Sequence, residues 1–262
     1  AGFRYVVAET DLNPVRSNYE TDKLAAEYLE FQYGESYFGV ANFAKSLVEL
    51  AIQQLPDLNK HKALDLGCAT GRASFELARY FDQVTGIDFS ARFIQHGVQL
   101  AEQKTIHYSM TVEGELVEHK ACHLADFKLD AVADKVSFFQ GDACNLKAEF
   151  SAYDFILASN LIDRLHHPQD FLNDIHRRLN IGGVLMLTSP YTWLTEHTPR
   201  SEWVGGFKQN AEKFTTLDGL KVLLAPHFEM IEAPCHVEFV IRETQRKFQH
   251  SLSEVTLWRR KY

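Results

Sequence analysis

Asp65, Gly67 and Gly71, with Asp88 placed 17 residues after the second glycine, are the residues whose types and spacing describe a chemical site. Ala63, Leu64 and Leu66 make a short apolar strand that runs into the turn Gly67-Cys68-Ala69-Thr70-Gly71. Phe75, Ala78 and Phe81 follow at helical spacing, and a second strand, Val84 to Ile87, ends in Asp88. Strand, glycine turn, helix, strand and acid is the layout of a nucleotide-binding βαβ unit. The glycines let backbone pass close to a ligand where a Cβ would clash. The helix start offers unpaired backbone N–H groups. Asp88, with Phe89 beside it, stands where a carboxylate can accept hydrogen bonds from both ribose hydroxyls.

A dinucleotide turn needs G-x-G-x-x-G, because the pyrophosphate is approached closely at several points. The pattern here is Asp65-x-Gly67-x-x-x-Gly71, with no glycine at the second dinucleotide position. An acid at Asp65 would repel a phosphate and suits an ammonium or sulfonium group, which argues against a nicotinamide oxidoreductase. This form resembles the first motif of class I S-adenosylmethionine (SAM) methyltransferases. The resemblance implies that Asp65, Gly67, Cys68 and Gly71 lie against the amino-acid end of that cofactor.

Further strand ends agree. Val136 to Gln140 runs into Gly141-Asp142-Ala143, where Asp142 can accept from an adenine amino group and the next backbone N–H can reach a ring nitrogen. Tyr153 to Ala158 ends at Ser159-Asn160. Ligands of open α/β sheets bind at the carboxyl ends of the strands, and Gly67, Asp88, Asp142 and Asn160 all fall there. Each acid alone is also compatible with a helix cap or turn.

The elements that must hold these ends are legible in outline. The expected fold is α/β: a Rossmann-like class I methyltransferase with a seven-stranded, mostly parallel sheet and helices on both faces. The 262 residues, 45% of them hydrophobic, suffice for one domain spanning 1–262. An arm and two cap helices are expected over 1–58: one traced by Leu24, Ala25, Tyr28 and Leu29, the other by Phe43, Leu47 and Leu50. Alternation from Ile106 to Val112 and back to His119 about Gly114 predicts a β-hairpin within an insertion over 104–134. Gly182-Gly183 is read as ending a helix from Pro168, before a strand from Val184 to Thr188. Active-site loops are expected over 189–214 and 234–250, and Phe228–Glu232 and Val255–Trp258 as the closing antiparallel pair.

The net charge of −8 argues against broad nucleic-acid binding. No apolar run is long enough for a membrane span, and the start reads as no signal peptide. Four cysteines without a C-x-x-C pair favour reduced thiols in a cytoplasmic setting. No metal is expected, since His166-His167 and the other histidines lack metal-ligand spacing. The chain begins with Ala rather than Met, so a piece of a longer protein is one expectation.

The peripheral segments carry a narrower resemblance. YETDKLAAEYLEFQYG (19–34), GDACNL (141–146), ASNLIDRL (158–165), TSPYTWLTEHTP (188–199), WVGGFK (203–208) and FVIRETQRKFQ (239–249) are similar to one family. It is the methyltransferase domain fused at the C-terminus of ovothiol-biosynthesis sulfoxide synthases. That family implies methyl transfer to an imidazole nitrogen of 5-thiohistidine, with an iron-dependent sulfoxide synthase domain, fused or separate, as partner. It implies a zwitterionic amino-acid substrate, whose carboxylate would be bound by Arg242 or Arg246, with Arg164 behind them. Tyr19, Asn160, Asp163 and Tyr191 are the candidates for orienting the imidazole. Arg242 and Arg246 are also compatible with surface pairing to Glu243, and Asp163 with an internal ion pair to Arg164. Another small-molecule acceptor, or a SAM-binding module without turnover, are the competing functions.

Overall fold

The computed structural model describes residues 21–262. Its central sheet, among the described residues, has eight strands. β1 (Lys62–Leu66), β2 (Gln83–Asp88), β5 (Val136–Gln140), β6 (Tyr153–Ser159) and β7 (Leu179–Ser189) are joined by β10 (Phe228–Met230), β11 (Cys235–Arg242) and β12 (Phe248–Arg260). The order is β10-β12-β7-β6-β1-β2-β5, with β11 also paired to β12. β5, β2, β1, β6 and β7 run parallel, while β12 runs antiparallel to β7, β10 and β11. Strands buried on both faces need continuous apolar sequence. β6, YDFILAS, is buried from Tyr153 to Ala158.

The helices are set by local signals. α1 (Asp22–Tyr33) begins where Thr21 Oγ1 accepts from Leu24 N, and α2 (Phe43–Gln54) where Asn42 Oδ1 accepts from Lys45 N. α3 (Arg72–Leu77) follows the glycine turn, and α4 (Ala91–Gln103) is capped by Ser90 on Phe93 N. α5 (Pro168–Asp174) starts with a proline at its first position, and α6 (Thr216–Leu224) with a Thr215–Asp218 capping box. α2 packs on α3, so α3 is buried on every side, Arg72 and Glu76 included.

The insertion is an antiparallel hairpin, β3 (Thr105–Glu113) with β4 (Leu116–His123), turning at Gly114 and followed by two short 3₁₀ turns. A smaller hairpin, β8 (Phe207–Gln209) with β9 (Glu212–Phe214), lies in the 189–214 stretch. Three expectations are corrected. The sheet has eight strands rather than seven, because Cys235–Arg242 adds a strand beside β12. The 234–250 segment is not a loop: Cys235–Arg242 pairs with Phe248–Val255 along its length, and only residues 243–247 turn. Gly182 and Gly183 do not precede a strand but lie inside β7, where the register with β6 shifts between Tyr153 and Phe155 and Gly182 takes φ +78°. The glycine tolerates the left-handed bulge that a side chain would resist.

Candidate active site

The strand order reverses between β2 and β6 about β1, which opens a crevice at the carboxyl ends. One cavity of about 200 Å³ lies there. Asp65, Gly67, Cys68, Asp88, Phe89, Asp142, Ala143, Asn160 and Arg164 all line it. The four strand ends singled out from sequence therefore converge on one space.

The glycine turn is built for close approach. Gly67 has φ +70°, and a Cβ there would come within 3.0 Å of Leu161 Cδ1. Ala69 also holds positive φ, +49°, and its N–H donates to Asp88 Oδ2 at 2.9 Å. Ser90 N donates to Asp88 Oδ1 at 2.9 Å, so backbone donors fix the orientation of the carboxylate. Cys68 is buried, and burial pushes its thiol well above the ordinary range, which keeps it neutral.

Asp65 is buried at the base of this cavity with Ser74 Oγ donating to it at 2.7 Å. Burial, reinforced by the nearby Asp88 charge, pushes its carboxyl up to about 7. Among the described residues no cation pairs with this acid, which is held far out of water. Asp142 caps its own 3₁₀ turn through Oδ1, which accepts from Cys144 N at 2.9 Å, and its Oδ2 has no hydrogen bond among the described residues.

Other sequence candidates are placed elsewhere. Tyr19 lies outside the described residues. Gly71 does not line the cavity; it starts α3 at φ +94°, and a Cβ would meet the Phe138 ring at 2.4 Å. Its glycine serves packing and backbone geometry. Asp163 is buried and turned away from the cavity, because the chain leaving β7 supplies three donors to it. Ser189 Oγ, Thr192 N and Thr192 Oγ1 donate at 3.0, 3.1 and 2.8 Å, and Arg164 Nη1 at 3.1 Å. Tyr191, also outside the cavity lining, donates to Glu254 Oε1 at 2.8 Å; burial and then Glu254 push its phenol far above the ordinary range.

The three arginines separate. Arg246 forms an exposed pair with Glu113, at 2.7 Å, on the insertion. Arg242 is enclosed: it reaches Glu30 at 3.4 Å, Glu118 at 3.5 Å and the Tyr37 hydroxyl at 3.2 Å. Strand alternation explains this, since Phe239 and Ile241 line the cavity and Arg242 points to the other face of β11. Glu243, the expected alternative partner, pairs with Lys247. Arg164 alone of the three lines the cavity. Its Nη1 donates to Asp163 and the Thr192 carbonyl, and its Nη2 to Thr192 Oγ1 at 2.9 Å. The Nε–Nη2 edge keeps two N–H groups without a hydrogen bond among the described residues.

Several lining residues escape a sequence reading. Phe31 of α1 and Phe43 of α2 pack on Phe239, Tyr28 of α1 packs on Phe93 of α4, and together they give the cavity an aromatic wall. Gln32 is the polar member of that wall. Its Oε1 accepts from Thr70 Oγ1 at 2.6 Å and from Arg72 N at 3.2 Å, while Nε2 donates to the Cys68 carbonyl at 3.3 Å. No residue of 189–214 contributes to the lining.

Residues 40–225 match the family described as a methyltransferase domain. The chain belongs to this methyltransferase family. Among solved structures, magnesium protoporphyrin IX methyltransferase from Synechocystis PCC 6803, with bound S-adenosylhomocysteine (SAH), is similar in fold. It is 15% identical at a TM-score of 0.56, over 96% of this chain and 100% of that one. The N-methyltransferase NodS from Bradyrhizobium japonicum WM9, in complex with SAH, is 13% identical at 0.54, over 92% and 100%. The [4+2]-cyclase SpnF is 16% identical at 0.58, over 94% and 95%. Among curated protein sequences, none matches the chain.

The methyltransferase cavity fits SAM on its own chemistry. Asp65 is a buried carboxyl that a sulfonium or ammonium would ionise, Asp88 is a carboxylate oriented by backbone donors, and Gly67 clears space at the turn. Among the described residues no cluster of three or more His, Cys, Asp or Glu could hold a metal ion, and no helix is long and apolar enough to cross a membrane.

Proposed function

We propose that this methyltransferase uses SAM to methylate an imidazole nitrogen of 5-thiohistidine. The observation that carries the reading is Arg164: a guanidinium anchored on one side by Asp163 and Thr192, with its Nε–Nη2 edge open, on the wall of the cofactor cavity. A planar fork with two free N–H groups is matched to a carboxylate. The remaining wall, Phe31, Phe43, Phe239 and Ile241, suits a small flat ring. Asn160, Leu161, Arg164, Phe239 and Ile241 belong to segments through which the chain is similar to the ovothiol family, and NodS, similar in fold, is an N-methyltransferase.

When bound, SAM supplies an electrophilic methyl on a sulfonium sulfur. A neutral imidazole nitrogen is nucleophilic without a strong base, so the protein's task is alignment and exclusion of water. Arg164 holds the carboxylate, the aromatic wall holds the ring, and the imidazole lone pair faces the methyl. Held in this way, the nitrogen would take the methyl as its C–S bond breaks, with SAH as the by-product and the imidazolium proton passing to solvent. An iron-dependent sulfoxide synthase, fused to this chain or separate from it, would form the C–S bond from which the thiolated histidine derives.

The test is to incubate the chain with SAM and 5-thiohistidine and follow the products by mass spectrometry. An N-methylated product and stoichiometric SAH are expected. Methylation of plain histidine or another acceptor, with none of 5-thiohistidine, would overturn the reading.

A further inference from the structure

Asn160 lines the cavity with a polar side chain of which one end is already engaged. Its Oδ1 accepts from Thr188 Oγ1 at 3.0 Å and from Ser253 Oγ at 2.7 Å. Both hydroxyls are buried, at 1% and 0% exposure, so neither has water as an alternative partner. Thr188 Oγ1 is itself held, accepting from Asn160 N at 3.1 Å. The Asn160 backbone is left-handed, φ +50°, which Asn tolerates better than most residues. With Oδ1 engaged twice, the amide Nδ2 has no hydrogen bond among the described residues, and Asn160 is part of the cavity wall.

We propose that Thr188 and Ser253 are positioning residues that fix the Asn160 amide with its N–H₂ toward the methyl acceptor, making a subsite for an anionic or lone-pair group. Nδ2 only donates, so this point of the wall accepts a carboxylate or thiolate oxygen or sulfur and refuses an ammonium. It cannot serve the nitrogen being methylated, whose lone pair must stay free. Ser253 comes from β12 where it pairs with β11, so the terminal hairpin adds a positioning hydroxyl to the wall residues Phe239 and Ile241 that it already supplies. The inference rests on the methyl acceptor occupying this cavity. Its two anionic groups, carboxylate and thiolate, are separated by the arms of the test.

Asn160→Asp keeps the shape, the tolerance of positive φ and an oxygen for both hydroxyls, but replaces the donor by a negative charge. SAH affinity by calorimetry should stay within ~3-fold, while KM for 5-thiohistidine rises ~30–100-fold, the scale of a lost hydrogen bond to a charged group. Thr188→Val and Ser253→Ala should each raise KM ~3–10-fold, and the pair should be less than multiplicative, because both act through one amide. Run with histidine, which lacks the thiolate, and with the decarboxylated analogue of 5-thiohistidine, the Asn160→Asp penalty disappears for the acceptor missing the contacted group. An unchanged KM in Asn160→Asp, or a loss that SAH affinity mirrors in full, overturns the proposal. If wild type methylates a different acceptor, the 5-thiohistidine reading fails by itself, and the same series on that acceptor decides the subsite. The ¹⁵N side-chain resonance of Asn160 in the SAH complex gives a turnover-free reading. It should move on adding 5-thiohistidine, and a resonance that moves with none of these compounds overturns the subsite.

Discussion

Asp65→Asn should make the free chain more stable and its cofactor binding weaker, opposite signs from one isosteric change. The carboxyl is buried with one hydroxyl donor, Ser74, and ionises near 7 rather than at the ordinary 3.8. Between these values the folded chain alone retains the proton, so stability falls as pH rises across that window and the penalty is complete above it. A gap of about 3 pH units at ~1.36 kcal/mol each corresponds to about 4 kcal/mol. Asn removes the ionisation and keeps an oxygen for Ser74. Denaturant unfolding at pH 5, 6, 7 and 8 should show the variant gaining on wild type with each step, by up to about 4 kcal/mol at the top.

A cation at this carboxyl reverses the balance. SAM binding below pH 7 must expel the proton, so wild-type affinity should fall about tenfold per pH unit from 7 toward 5 and level off above 7. Calorimetry in two buffers of different ionisation enthalpy should count close to one proton released at pH 6 and almost none at pH 8.5. Asp65→Asn should lose that dependence and bind ~10–100-fold more weakly at pH 8. Equal stability of variant and wild type at pH 8, or SAM binding without proton release at pH 6, would refute the argument that Asp65 waits for a cation.

Asp88→Ala should weaken SAM by ~100-fold or more, from the loss of two ribose hydrogen bonds to a charged group, and should also lower the melting temperature, since Ala69 N and Ser90 N lose their acceptor; unchanged affinity by calorimetry would show the ribose lies elsewhere. Gly86→Ala places a Cβ 2.6 Å from the Phe138 ring and should cost about 1–3 kcal/mol, part of which Phe138→Leu restores; additive losses in chemical denaturation would argue against that contact. Lys120→Met removes the ammonium lying 2.7 Å from the buried Glu30 carboxylate and should cost about 3 kcal/mol. Burial works to raise the Glu30 carboxyl, yet hydrogen bonds from Lys120, Tyr37 and Tyr108 hold it below the usual range. That contribution is therefore present at neutral pH and is lost as acid protonates Glu30, so the difference between wild type and Lys120→Met should shrink toward pH 3 in urea titrations.

The cofactor side was legible because its information is local. Parallel strands buried on both faces are unbroken apolar runs, and the residues at their carboxyl ends, Gly67, Asp88, Asp142 and Asn160, project into one crevice whatever the rest of the chain does. The acceptor side depends on which way a side chain turns at a given end. Asp163 and Asn160 are three residues apart with similar short polar side chains, yet one serves the loop after β7 and the other lines the cavity. Cys235–Arg242 alternates, but the polar run from Arg242 to Lys247 interrupts the pattern, so the stretch as a whole reads as a loop. In the fold Arg242 is buried among ionic partners that lie far away in the chain. The glycines at 71, 86 and 97 likewise share one distant ring, Phe138, packed against all three, which no local pattern shows.

Helix α1 joins what the sequence kept apart. Tyr28 and Phe31 face the cavity, while Gln32 and Tyr33 bind the glycine turn, Tyr33 through its hydroxyl to the Thr70 carbonyl at 3.0 Å. Glu30 on the same helix is held by Tyr108 and Lys120 of the inserted hairpin and by Arg242 of the terminal one. A helix is stiff over this length, so the cofactor turn, the aromatic acceptor wall and both added hairpins share one support. That arrangement gives the extra segments a physical reason to exist. The βαβ turn can bind a cofactor with any helix packed over it, but under the function proposed above the wall would present a small acceptor in line with a methyl group, which tolerates little movement. The buried Glu30 cluster fixes α1, and with it the aromatic wall, relative to the glycine turn.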